Sequence, residues 1–176
     1  GSTFKLASVL AGLEDGAFNL SDSVDTENGR YQFYDRVMVD SRKGGYGKIT
    51  IGEAFVESSN VGISKVINEA YAKQSEKFVD RLFKLQLNTP LNIEIPAPDN
   101  PRIKTPKDQD WSGTTLPWMS IGYEVSLTPL HMLTFYNAIA NNGKMLKPYF
   151  VEGIKRNGKF IEQNKIEIIN PSICAK

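Results

Sequence analysis

A serine and a lysine three positions apart open the chain, in Gly1-Ser2-Thr3-Phe4-Lys5. Residues at that spacing share a helix face, so Ser2 Oγ and Lys5 Nζ come within hydrogen-bond reach if a helix begins here. The first amides of such a helix remain unpaired donors behind the hydroxyl. A hydroxyl is a poor nucleophile at neutral pH until a neighbour takes its proton, and a lysine can do so only where desolvation lowers its pKa. The next residues supply that condition. Phe4, Leu6, Ala7, Val9, Leu10, Ala11 and Leu13 surround most of the helical circumference, the pattern of a buried helix whose start also lies inside the protein. The chemistry indicated is attack by a serine with a lysine as base. Alone the spacing is a weak signal, because Ser-x-x-Lys arises by chance roughly once in a chain of this size.

A second polar cluster, Ser58-Ser59-Asn60, falls between two stretches of helical period. Thr50-Ile51-Gly52-Glu53 has the form of a capping box, a threonine that satisfies an early amide and a glutamate that reaches back, so a helix is expected from there through Val56. Val61 to Ala72 is periodic again, with Val61, Ile63, Val66, Ile67 and Ala70 available to a core. A break between buried helices can aim polar side chains into a cleft while rigid elements fix them. The same three residues, taken alone, are more simply read as the end of one helix and the cap of the next.

Composition narrows the function classes. The 176 residues, 40% hydrophobic and 23% charged, suit a globular chain able to bury a core. A net charge of +1 without a basic stripe argues against nucleic acid as a partner. One cysteine, Cys174, and one histidine, His131 in an apolar run, exclude an internal disulfide and a multi-histidine metal site. His131 reads as a core or surface histidine. The loop Ser41 to Lys48 carries Gly44, Gly45 and Gly47 but lacks the Gly-Lys-Ser or Gly-Lys-Thr ending of a phosphate-binding loop.

Around the two motifs, Arg30 to Asp40 reads as a hairpin with Tyr31, Phe33, Val37 and Val39 on its strands, and Ser75 to Leu87 as a helix. Asn88 to Asp110, with prolines at 90, 96, 98, 101 and 106, reads as a surface excursion. Trp111 and Trp118 are read as packing residues. Thr128-Pro129 opens the clearest helix, expected to run to Asn141 and to lie centrally in the core, with Gly143 closing it. Tyr149 to Arg156 and Lys159 to Glu162 read as a hairpin about Asn157-Gly158, and Lys165 to Ile169 as a further strand.

Ser2-Thr3-Phe4-Lys5 followed by Ser58-Ser59-Asn60 resembles the penicillin-binding proteins and serine β-lactamases, whose motifs include S-x-x-K, S-x-N and K-T-G. Ile51 to Gly62 and Met119 to Gly143 extend the likeness over nearly the whole chain, and in detail it is similar to the class B transpeptidase domain of the septal, cell-division type. The resemblance implies an α/β (α+β) fold of the β-lactamase/transpeptidase kind. Residues 1–176 would form a partial domain that starts at S-x-x-K and ends before K-T-G. It would be dominated by the helical part with short β-hairpins and lack the third-motif strand. Neither Lys-Thr-Gly nor Lys-Ser-Gly occurs, and in Lys104-Thr105-Pro106 the proline removes a backbone donor.

The same resemblance implies that Ser2 attacks the penultimate D-Ala carbonyl of a peptidoglycan stem peptide. Lys5 would accept its proton, Ser58 would relay a proton to the departing D-Ala, and Asn60 would bind substrate and help orient Lys5. Spacing leaves open which lysine or hydroxyl is the base. No metal or organic cofactor is implied. Implied partners are stem peptides, β-lactams and, through a parent chain, cell-division proteins. A membrane anchor is expected outside these residues, with the domain on the periplasmic side of the cytoplasmic membrane at the division septum. The isolated piece is expected to be inactive for want of half its cleft. Two other readings stay open, a serine β-lactamase, whose second motif commonly has valine where this chain has Asn60, and a non-catalytic β-lactam sensor or binding module.

Overall fold

Apolar residues on nearly every side of the first helix leave it no solvent face, and the other elements pack around it. The computed structural model describes residues 1–95 and 100–174. A 3-10 turn, Ser2–Phe4, runs into α1 (Lys5–Glu14), and β1 (Ser23–Asp25), β2 (Arg30–Phe33), β3 (Arg36–Val39) and β4 (Lys48–Thr50) lead to α2 (Ile51–Val56), α3 (Asn60–Tyr71) and α4 (Ser75–Lys84). Then come β5 (Arg102–Ile103), α5 (Thr115–Met119), β6 (Val125–Ser126), α6 (Pro129–Ala140), β7 (Met145–Leu146), β8 (Gly153–Arg156), β9 (Lys159–Gln163) and β10 (Ile168–Asn170).

Seven of the ten residues of α1 are buried, and α2, α3 and α4 all touch it. The chain folds back onto α1 after Gly16 only because residue 12 is glycine, since a Cβ there would fall on the Phe18 ring. At its far end Asp15 is bound by Arg81 of α4 and by the Tyr71 hydroxyl of α3 at 2.9 Å. Burial, and then the Asp15 carboxylate, push the Tyr71 phenol well above its usual range, so it stays a neutral donor.

Every described β-pair is two-stranded and antiparallel. The β2–β3 hairpin has the expected place, with Phe33 and Met38 turned inward and Val37 and Val39 exposed, as alternation on one buried face requires. Phe33 meets Trp118 of α5 edge-on at 6.2 Å, and the Arg36 guanidinium lies 4.8 Å from the centre of the Trp118 ring, so this tryptophan packs the hairpin against α5. The pairing of β1 with β4 sets Ser23 opposite Thr50 and so fixes where α2 begins. That pair and the β5–β6 and β7–β10 pairs join segments distant in sequence and carry no hairpin signature.

Three expectations need correction. The α6 helix is not central: His131, Thr134, Phe135 and Ala138 are buried, whereas Leu133 and Tyr136 are exposed. Its sequence is apolar all round, so periodicity could not say which stripe packs. Strands β8 and β10 are shorter than expected and β9 one residue longer, and they show little burial, with Ile154, Phe160, Ile161 and Ile168 exposed, because each belongs to a sheet of only two strands. Helix α1 itself starts inside at Lys5, but the turn that leads into it lies at the surface, as Gly1, Ser2 and Thr3 are exposed and burial begins at Phe4. The prolines expected at 96 and 98 lie outside the described residues. Among the described residues no helix is long and apolar enough to cross a membrane.

Candidate active site

Two short helices meeting at a tight corner bring the second polar cluster to the first. The capping box forms as expected, with Thr50 Oγ1 accepting from the Glu53 amide at 3.1 Å and Glu53 Oε2 accepting from the Thr50 amide at 2.8 Å. Helix α2 lasts six residues and closes with the Ser58 amide on the Phe55 carbonyl and the Ser59 amide on the Ala54 carbonyl. This pair of bonds defines a Schellman ending, which needs a left-handed residue, usually glycine, at the position Ser58 occupies. Ser58 has φ +55°. A side chain there carries strain of about 1 kcal/mol relative to glycine. Ser59 then caps α3, its Oγ accepting from the Gly62 amide at 2.8 Å. Gly62 permits the corner, since a Cβ would come within 3.0 Å of Ala54 Cβ. The structural role read from this cluster thus falls to Ser59, which leaves Ser58 to face elsewhere.

Ser58 faces Lys5. The Lys5 amine reaches Ser58 Oγ at 2.9 Å, the Ser58 carbonyl at 2.5 Å and Ser2 Oγ at 3.2 Å. Sequence spacing anticipated the Ser2–Lys5 approach; the fold adds Ser58 to it. Lys5 is only 1% exposed, and burial lowers its pKa from 10.5 to about 8, with the Asp40 carboxylate acting in the opposite direction. An ammonium has three protons and three acceptors here. A neutral amine has two protons, which Ser58 O and Ser58 Oγ can take, and its lone pair is then free for the Ser2 hydroxyl. With Lys5 donating to Ser58 Oγ, the Ser58 proton is free to point away from the lysine. The Ser2 amide precedes the first bond of the turn, Phe4 amide to Gly1 carbonyl at 2.9 Å, and so stays available as a donor. The Ser2 hydroxyl is therefore open to solvent while the Lys5 amine is buried beneath it.

Asn60 departs from the expectation that it helps orient Lys5. It begins α3 and its amide nitrogen donates to the Val39 carbonyl at 2.9 Å; no hydrogen bond joins it to Lys5. The end of β3 lies against this corner, and that contact decides the direction of the side chain. The sequence reading passed over Asp40, the residue after Val39. Its carboxylate accepts from Ser59 Oγ at 2.9 Å and from the Val61 amide at 2.9 Å, and it is 6% exposed. In sequence it reads as the last residue of the hairpin, just before the glycine-rich loop. The available signal was an acidic residue directly after an alternating strand, which is common in solvated turns. His131 is buried, with Nδ1 2.7 Å from Thr128 Oγ1, a core position as read. Lys104 is ion-paired to Asp110 and Glu124.

Residues 1–173 match the family described as penicillin binding protein transpeptidase domain. Penicillin-binding protein PbpB of Mycolicibacterium smegmatis is 29% identical over 175 residues, covering 97% of this chain and 26% of that protein. Peptidoglycan D,D-transpeptidase FtsI of Escherichia coli is 27% identical over 143 residues, covering 81% of this chain and 23% of that protein. The chain thus spans about a quarter of the length of these curated relatives. The apo structure of penicillin-binding protein 3 from Mycobacterium tuberculosis superposes with a TM-score of 0.76 at 26% identity, over 98% of this chain and 38% of that one.

Proposed function

Because the chain belongs to the penicillin-binding protein transpeptidase domain family, we propose that it carries the acylation half of a peptidoglycan D,D-transpeptidase site, with Ser2 as nucleophile, Lys5 as base, Ser58 as proton relay and Asn60 as a substrate contact. The observation that carries this reading is the Lys5 amine, buried, lowered to about 8 and in contact with both Ser2 Oγ and Ser58 Oγ. Lys5 in its neutral form takes the Ser2 proton as Oγ attacks the penultimate D-Ala carbonyl of a stem peptide. The oxyanion that forms meets the Ser2 amide. Collapse breaks the peptide bond, and the leaving D-Ala amine takes its proton through Ser58. An amino group of a neighbouring stem then attacks the acyl-serine and restores Ser2. A β-lactam opens by the same attack and stays on Ser2.

We further propose a septal role, which the likeness to FtsI of Escherichia coli supports, and with it cell-division proteins as partners and a membrane-anchored parent holding this domain on the periplasmic side. A Lys-Thr-Gly strand completing the cleft would come from that parent. The test is intact-mass spectrometry after incubation with a fluorescent penicillin, on this chain and on a longer form spanning the length of the solved domains, each beside Ser2→Ala. The expected result is one lasting adduct on the longer form that Ser2→Ala abolishes. A folded longer form that takes no adduct overturns the reading, and an adduct that turns over rapidly moves it to β-lactam hydrolysis.

A further inference from the structure

Asp40 is a buried carboxylate without a cation beside it. Among the described residues no lysine or arginine lies within ion-pair distance of it, and its bonds go to Ser59 Oγ and the Val61 amide. Burying a carboxylate is costly unless its lone pairs are met, and the first turn of α3 meets them with an amide, a hydroxyl and the positive end of the helix dipole. Asp40 takes the Val61 amide while Ser59 caps α3 at Gly62, and beyond that capping the carboxylate also accepts from the Ser59 hydroxyl, which ties it to the corner. The residue joined to Ser59 is Ser58, and both its carbonyl and its hydroxyl hold Lys5. The carboxylate therefore stands directly behind the corner on which the lysine rests.

Building on the acyl-transfer reading of Ser2 and Lys5, we propose that Asp40 is a positioning residue for that reaction: it locks the Ser58-Ser59 corner against α3 and supplies the negative charge behind the Lys5 amine. The charge has a defined use. When Lys5 takes the Ser2 proton it becomes a buried ammonium, and a fixed carboxylate one residue beyond stabilises that form without pairing with it. Direct pairing would hold the proton permanently. Asp40 is the charged group whose field reaches Lys5, opposing the effect of burial. The other groups that meet the amine, Ser2 from the turn and Ser58 from the corner, are neutral.

Asp40→Asn keeps an acceptor for the Val61 amide and a partner for Ser59 while removing the charge. Two readouts test it: the titration of Lys5 followed by carbon-13 NMR of the labelled lysine, and the pH profile of penicillin acylation by the longer form. The expected result is a Lys5 midpoint lower by at least about half a unit, an acylation profile displaced to lower pH by the same amount, and a plateau rate reduced at least about tenfold. A Lys5 titration and pH profile equal to wild type overturn the proposal and leave Asp40 a helix cap. Should Asp40→Asn fail to fold, Asp40→Glu replaces it. Lys5 must then titrate as in wild type while acylation slows, and acylation at the wild-type rate overturns the proposal. Failure of the acyl-transfer reading looks different, with no adduct on Ser2 although the Lys5 titration still responds to residue 40.

Discussion

The two ends of α1 each bury a charge, and they treat it in opposite ways. At the C-terminal end Asp15 is paired with Arg81, lies 3.9 Å from Lys77 and accepts from the Tyr71 hydroxyl. At the N-terminal end Lys5 meets two hydroxyls and a carbonyl, and among the described residues no carboxylate within ion-pair distance. The Asp15 cluster ties three helices together through ion pairs and a hydroxyl. The Lys5 cluster has a proton affinity close to neutrality. A buried charge is inert when a counter-ion satisfies it and reactive when neutral dipoles hold it, because only in the second case are its two protonation states close in energy.

Lys5→Met probes the reactive end most severely. It should reduce penicillin acylation at least about a hundredfold, while denaturant unfolding at pH 7 stays within about 1 kcal/mol of wild type, since replacing a desolvated ion by an apolar chain is often neutral. A comparable loss of stability would mean that the two ends are alike. At the structural end, Asp15→Ala should cost the fold about 3 kcal/mol in urea unfolding, because Arg81 and Tyr71 lose their partner. The rate of acylation per folded molecule should not change. If it falls, the ends of α1 are coupled.

Ser58 sharpens the comparison at smaller scale. Ser58→Gly and Ser58→Ala both remove the hydroxyl that meets Lys5, but only glycine relieves the left-handed backbone. Ser58→Gly should therefore unfold about 1 kcal/mol later than Ser58→Ala. Equal stabilities would show that the corner carries no strain. The last comparison is in pH. Because the Lys5 pKa is lowered in the fold, from 10.5 to about 8, the unfolded chain binds more protons between those values, and stability from this group rises with pH across that window. Acylation should rise through about pH 8 as the amine loses its proton. Lys5→Met should remove both dependences, as seen by chemical denaturation and acylation rates measured from pH 7 to pH 10.

Legibility in the sequence followed the range of the interactions. The Thr50–Glu53 capping box, the start of α6 at Thr128-Pro129 and the β2–β3 hairpin were all readable, because donor, acceptor and turn lie within a few residues of one another. The Ser2–Lys5 approach was readable for the same reason. The pairings of β1 with β4 and β7 with β10 were not, since strands of two or three residues carry too little alternation to mark themselves. Nor was the exposed side of α6, where an all-apolar helix leaves its packed face undetermined.

By itself the sequence determined the chemical types, a hydroxyl and an amine on one helical turn and a polar corner between two helices. Local geometry and apolar periodicity act through bonds only a few residues long. Only the tertiary structure decided that Ser2 is exposed while Lys5 beneath it is buried, that Ser58 and not Asn60 holds the lysine, and that Asp40 stands behind the corner. Those outcomes depend on how α1, α3 and the end of β3 meet. Desolvation and fixed charge, which set the proton affinity of Lys5, exist only once distant segments have closed around it.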